Sequence, residues 1–170
     1  MPEPFRTLDP VTASAEDRAR FHSGELLQEW AARYPQLFDE HEVRTATNQL
    51  GGHFYEWFAA VHLYETTGWL SLIESYQFKV QTWKRGVLRE LGAAALLEFF
   101  DGQGALGFGR RQAPDLLVYA PDFSDYYFCE VKGPTDRLRP VQTEYFTAMA
   151  AAAGGKNVVL LPVHVSLPTL

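Results

Sequence analysis

An α/β fold is predicted by three features of the sequence. Apolar residues recur at helical spacing through long segments of the first 100 residues, and two short aromatic, β-branched runs flank a turn near residue 121. A stretch with Pro140 near its start and Gly154-Gly155 at its end then leads into the apolar run "NVVLLPVHV". The order is helices first, then strand, strand, helix, strand.

Each element has its own signal. "SAEDRARFHSGELLQEWAARY" opens with Ser14, has Asp17 three residues later, and carries Phe21, Leu26, Leu27 and Trp30 near helical spacing before Pro35, which predicts one helix. "GGHFYEWFAAVHLYETTGWLSL" places Phe54, Trp57, Phe58, Val61 and Tyr64 on a broad apolar surface ending near Gly68, a second helix with Glu56 near its start and Glu65 near its end. "FKVQTWKRGVLRELGAAALLEFF" puts Val80, Trp83, Val87 and Leu91 at helical spacing and predicts a third, long helix, basic in its first half. "DLLVYA" and "YYFCEVK" read as paired strands around the turn formers of "PDFSD". "RPVQTEYFTAMAAAAGG" reads as a helix, and Pro162 confines the last strand to an edge or a bend.

The length suits one domain with a real core, and no apolar run approaches the roughly 20 residues of a membrane span. With no signal-like N-terminus, a cytoplasmic location is expected. The single cysteine, Cys129, excludes an intramolecular disulfide and a cysteine zinc cage. Net charge is −6, but it is unevenly placed: residues 1–76 hold 5 Lys+Arg against 12 Asp+Glu, and residues 77–170 hold 10 against 9. The second part could therefore face phosphate, above all with a bound cation.

The chemistry centres on the hairpin. Alternation sends Glu130 and Lys132 to one face of their strand and Cys129 and Val131 to the other. If the turn pairs Ala120 with Asp125, the antiparallel register sets Asp115 opposite Glu130. Two such carboxylates repel unless a cation lies between them or one is protonated, and oxygen-only ligands favour Mg²⁺ or Mn²⁺. Such an ion beside Lys132 suits phosphodiester hydrolysis. A surface hairpin with a Glu/Lys pair has the same spacing, so spacing alone leaves both readings open.

The residues now in view carry a family likeness. "PD" at 114–115 with "EVK" at 130–132 resembles the PD-(D/E)xK nuclease signature, and "EVKGPTDRLRPVQ" resembles its VRR-NUC branch through Lys132, Gly133, Pro134, Asp136, Arg137, Leu138 and Gln142. The resemblance is close over residues 113 to 142. It implies a restriction-endonuclease-like fold, a mixed central sheet flanked by helices, as one nuclease domain over 1–170 with a helical N-terminal extension (1–50) and a core (51–170). By the same resemblance, Asp115, Glu130, the Val131 carbonyl and the helix residue Glu56, preferred over Glu65, are metal ligands; Lys132 is the catalytic lysine and Gln142 lines the site. Arg139 departs from the small helix-capping residue common in the family, and the long separation between Glu56 and Asp115 suggests an insertion.

The implied activity is Mg²⁺- or Mn²⁺-dependent endonuclease cleavage of DNA, with branched or flap-bearing substrates in repair or recombination. A non-catalytic DNA-binding or interaction module keeping the fold is the alternative, and RNA as substrate also stays open. A two-fold homodimer through the acidic N-terminal helices would match paired cuts at a junction. Lys79, Lys84, Arg85, Arg89, Arg110, Arg111, Arg137 and Arg139 are candidate DNA contacts, with a solvated basic face as the competing reading.

Other motifs carry less. "GQGALG" matches G-x-G-x-x-G but follows a helix and precedes a strand, the reverse of a dinucleotide site. The histidines lack metal-pair spacing, and Trp57, Trp69 and Trp83 fall at core-like spacings.

Overall fold

A computed structural model describes residues 5–102 and 113–168. The chain runs β1 (Arg6–Thr7), β2 (Val11–Ser14), α1 (Ala15–His22), α2 (Glu25–Arg33), α3 (Glu40–Asn48), α4 (Phe54–Thr67), β3 (Leu70–Ile73), α5 (Thr82–Glu90), α6 (Ala94–Gly102), β4 (Leu116–Tyr119), β5 (Tyr126–Lys132), α7 (Pro140–Ala152) and β6 (Val158–Ser166). The strands form one six-stranded sheet in the order β1-β6-β5-β4-β3, with β2 also pairing β6. β3, β4 and β5 are antiparallel, whereas β6 runs parallel to β5, β1 and β2. The sheet is mixed, as expected.

The β4–β5 hairpin shows why both faces are covered. Leu116, Val118, Cys129 and Val131 join the core formed with α1, α2 and α4. Leu117, Tyr119, Tyr126 and Phe128 join a second core with α5, α6 and α7. Strands buried on both sides read as continuous apolar runs, which is how "DLLVYA" and "YYFCEVK" look in the sequence. Among the described residues, no helix is long and apolar enough to cross a membrane.

Several elements differ from the sequence expectations. The first predicted helix is two helices: Ser14 caps α1 by accepting from the Asp17 N–H at 3.0 Å, and the chain breaks at Gly24, whose φ of 88° lies in the left-handed region. The third is also two, α5 and α6, separated at Gly92 with φ 71°. Val80 is 82% exposed and Trp83 42%, so they leave the predicted core face, while Trp57 is fully buried. Residues 1–50 are not wholly helical, because β1 and β2 pair with β6. β6 is an interior strand rather than an edge. Pro162 falls between its Leu160 partnership with β1 and its Val163 partnership with β2, where that ladder is interrupted and a missing N–H costs least.

Gly92 has open space where a Cβ would lie, so a side chain there meets backbone strain alone. Gly92→Ala should destabilise the fold by about 1 kcal/mol, and Gly92→Asn by less, measured as shifts in urea midpoint.

Candidate metal centre

Register builds the site at the end of the sheet opposite the hairpin tip. Ala120 N–H donates to Asp125 O at 3.0 Å, and Leu116 pairs with Cys129, so Asp115 stands opposite Glu130. On the other side, Ile73 pairs with Leu116, which carries the row on to Glu74, whose N–H donates to Asp115 O at 2.7 Å. Three acidic residues thus lie side by side, Glu74 just after β3, Asp115 just before β4 and Glu130 within β5. α4 brings Glu56 to the same place, and carboxylate oxygens of Glu56, Glu74 and Asp115 all lie within 4.8 Å of one another.

Main-chain groups tie the hairpin carboxylates down. Val131 N–H donates to Asp115 Oδ2 at 2.8 Å, and Asp115 N–H donates to Glu130 Oε2 at 3.1 Å. Glu130 Oε1 accepts from Lys132 Nζ at 3.0 Å and from Gln142 Nε2 at 3.2 Å. Gln142 reaches from the first turn of α7, where its Oε1 also accepts from the Arg139 N–H at 3.0 Å. The helix start is therefore closed by the site glutamine, although Arg139 replaces the usual small cap. Tyr76 donates to the Pro114 carbonyl at 2.7 Å and holds the residue before Asp115. Gly133 sits tight: an added Cβ would lie 3.2 Å from Asp136 Oδ2, which accepts the Gly133 N–H at 3.1 Å.

The electrostatics follow from burial and then from crowding. Burial, followed by Glu74, raises the Glu56 carboxyl from its ordinary 4.5 to about 7. Burial, then the charges of Glu130 and Glu56, push Asp115 well above the usual carboxylate range. Glu56 Oε2 is buried with no hydrogen-bond partner among the described residues. An oxygen-rich, charge-crowded group with an unsatisfied carboxylate oxygen fits a hard divalent cation, which would satisfy that oxygen and offset the repulsion.

The sequence singles out Glu56, Asp115, Glu130, Lys132 and Gln142 as site candidates, and the structure places all five at this sheet end. Glu65 is elsewhere, accepting a hydrogen bond from Tyr34. Glu74 and His53 were missed. His53 Nδ1 lies 3.2 Å from Glu74 Oε2 and Nε2 lies 2.8 Å from Gln49 Oε1; the neighbouring Glu74 carboxylate is the main cause of its raised pKa. Glu74 follows a four-residue strand, too short to show in the sequence pattern.

The basic candidates divide. Lys79, Arg89, Arg137 and Arg139 are exposed, and Arg110 and Arg111 lie outside the described residues. Lys84 and Arg85 are corrections: they are only 2% and 5% exposed and cannot form a phosphate-facing surface. Arg85 donates to the Gln77 carbonyl at 2.9 Å and to both Asp101 oxygens at 2.8 and 2.9 Å. Lys84 Nζ donates to the Ile73 carbonyl, to the Glu74 carbonyl at 2.9 Å and to Glu42 Oε2 at 2.9 Å. Trp57 Nε1 donates to the other Glu42 oxygen at 3.4 Å. A buried ammonium thus anchors the main chain that carries Glu74.

What fold and side chains define together is a mixed α/β protein with an acidic, cation-competent sheet end. No protein-family model matches the chain, and no curated protein is significantly similar to it. Among solved structures it is similar to paFAN1 bound to DNA with a 2-nucleotide 5′ flap and a gap, at 17% identity and a TM-score of 0.34. That similarity covers 89% of this chain and 22% of that one.

Two measurements probe the site's energetics. Lys84→Met strands the buried Glu42 carboxylate and should cost about 3 kcal/mol in urea unfolding, with much of the loss recovered in Glu42→Leu/Lys84→Met. In metal-free protein Glu56 holds its proton more tightly folded than unfolded, so its stabilising contribution is full below about pH 4.5 and is lost as pH rises through about 7. Stability of wild type in chelator should therefore fall relative to Glu56→Gln across that window.

Proposed function

We propose that the chain is a Mg²⁺- or Mn²⁺-dependent nuclease that hydrolyses DNA phosphodiester bonds, acting on branched or flap-bearing DNA. The observation that carries this reading is the convergence of Glu56, Glu74, Asp115 and Glu130 beside Lys132 at one sheet end. It is supported by the match of "PD", "EVK" and "GPTDRLRPVQ" to the VRR-NUC pattern.

In this reading Glu56, Glu74 and Asp115 hold the ion, with Glu130 and the Val131 carbonyl as the further ligands the motif implies. A bound divalent ion supplies charge neutralisation at the phosphate and lowers the pKa of a water molecule. Lys132 brings an ammonium group to the same edge, where it orients the attacking water or steadies charge that builds on the phosphoryl oxygens. Gln142 and Lys132 share Glu130 Oε1, so the glutamine restrains the partner of the lysine. The main-chain bond from Val131 to Asp115 keeps that carboxylate from turning away when the site is empty.

Labelled duplex, single-stranded, flap and four-way-junction DNAs incubated with Mg²⁺ or Mn²⁺ test the reading. Wild type should cut, with a preference for flap or junction; Asp115→Asn should abolish cutting and Lys132→Met should slow it about 100-fold. Glu74→Gln should weaken Mn²⁺ binding by calorimetry. No cutting by folded protein, with no ion bound, would favour a non-catalytic DNA-binding or interaction module.

A further inference from the structure

The stretch that leaves Glu74 is unlike the rest of the surface. Of the six exposed large apolar side chains among the described residues, three lie here: Phe78 (37% exposed), Val80 and Trp83. Between Ser75 and Arg89 the chain has four basic residues and no acidic one, although the whole sequence holds 21 Asp+Glu. Lys84 and Arg85 are used inside the protein, which leaves Lys79 and Arg89 as the charges this stretch shows to solvent. Neither makes an ion pair among the described residues.

This surface adjoins the acidic sheet end through covalent and hydrogen-bonded neighbours. Phe78 N–H donates to the carbonyl of Ser75, the residue after Glu74, at 3.1 Å. Trp83 precedes Lys84, whose ammonium reaches the Glu74 carbonyl at 2.9 Å. Gly86, three residues beyond Trp83, has no side chain and open space where a Cβ would lie, so α5 adds no side chain of its own there between the exposed Trp83 and the exposed Arg89 further along it. Exposed aromatic rings interleaved with unpaired cations match a single nucleic acid strand, in which bases offer flat faces and phosphates offer charge. In a duplex those faces are already stacked and out of reach.

We propose that Phe78, Lys79, Trp83 and Arg89 form a binding surface for single-stranded DNA, the two aromatic rings stacking on unpaired bases and the two cations meeting the phosphates. The proposal rests on the nuclease reading for its biological sense, since it would deliver the unpaired arm of a branched substrate to the carboxylates. Binding itself does not need the ion, so the two readings can be tested apart.

The test is fluorescence anisotropy in EDTA with a labelled oligothymidine of about 12 nucleotides, against a blunt duplex of equal length. Wild type should prefer the single strand and show quenching of tryptophan emission that Trp83→Phe removes, because Trp30 and Trp57 are buried and Trp69 is half-buried against Tyr127. Phe78→Ala and Trp83→Ala should each weaken single-strand binding about 5-fold or more, Trp83→Phe should largely keep it, and Lys79→Ala should reduce the salt slope by about 0.7. Unchanged affinity in the alanine variants, equal losses on duplex, or a preference for the matching RNA would overturn the proposal. So would a dimer that Trp83→Ala dissolves, since a second copy would then own this face. Strand binding without cutting on any substrate would sink the nuclease reading and leave the surface standing. Full cutting with normal strand binding in Phe78→Ala/Trp83→Ala would do the reverse.

Discussion

Repulsion among carboxylates is the constraint around which this molecule is arranged. Glu74, Asp115 and Glu130 are neighbours because the β3–β4 and β4–β5 registers put them in one row, and Glu56 is added from α4. Left alone, such a group would spread apart or take up protons, and burial first, then the neighbouring carboxylates, raises the proton affinities of Glu56 and Asp115. The fold answers with fixed donors: main-chain N–H groups on Asp115 and Glu130, and an ammonium and an amide on Glu130, while the His53 ring lies 3.2 Å from Glu74. Glu56 keeps a buried oxygen that no described residue satisfies. A cation is the simplest physical completion of that pattern.

The same economy extends one layer out. Glu74 and Ser75 both have positive φ, a conformation that non-glycine residues adopt only where surrounding contacts hold it. Lys84 supplies such contacts, bonding the carbonyls of Ile73 and Glu74 while Glu42 compensates its charge. Glu42 in turn is reached by Trp57 of α4, the helix that also carries Glu56. The two carboxylates that come from outside the hairpin are thus linked through one buried polar network. This gives α3, otherwise remote from the chemistry, a part in setting the site.

Buried cations and exposed aromatics reverse the ordinary expectation along α5 and the residues before it. Helical spacing assigned Val80 and Trp83 to the core and left Lys84 and Arg85 to solvent. The structure does the opposite because Glu42 and Asp101, far away in sequence, supply partners inside the protein. A pattern rule weighs each residue by its type, whereas burial depends on which partner arrives from elsewhere.

The sequence by itself determined the hairpin and the placement of most of its charged groups. Alternation put Glu130 and Lys132 on one face, and the Ala120–Asp125 turn placed Asp115 opposite Glu130, because a tight turn sets register within a few residues. The capping start at Ser14, the Pro140 helix start and the stop at Gly68 were local for the same reason. Tertiary structure decided the rest. β1 and β2 are strands only because β6 lies beside them, and Pro162 is tolerated inside the sheet only because one ladder breaks there. Glu74 and His53 reach the acidic site through the pairing of a four-residue strand and the start of α4. Those placements depend on contacts between residues distant along the chain, which spacing and composition do not encode.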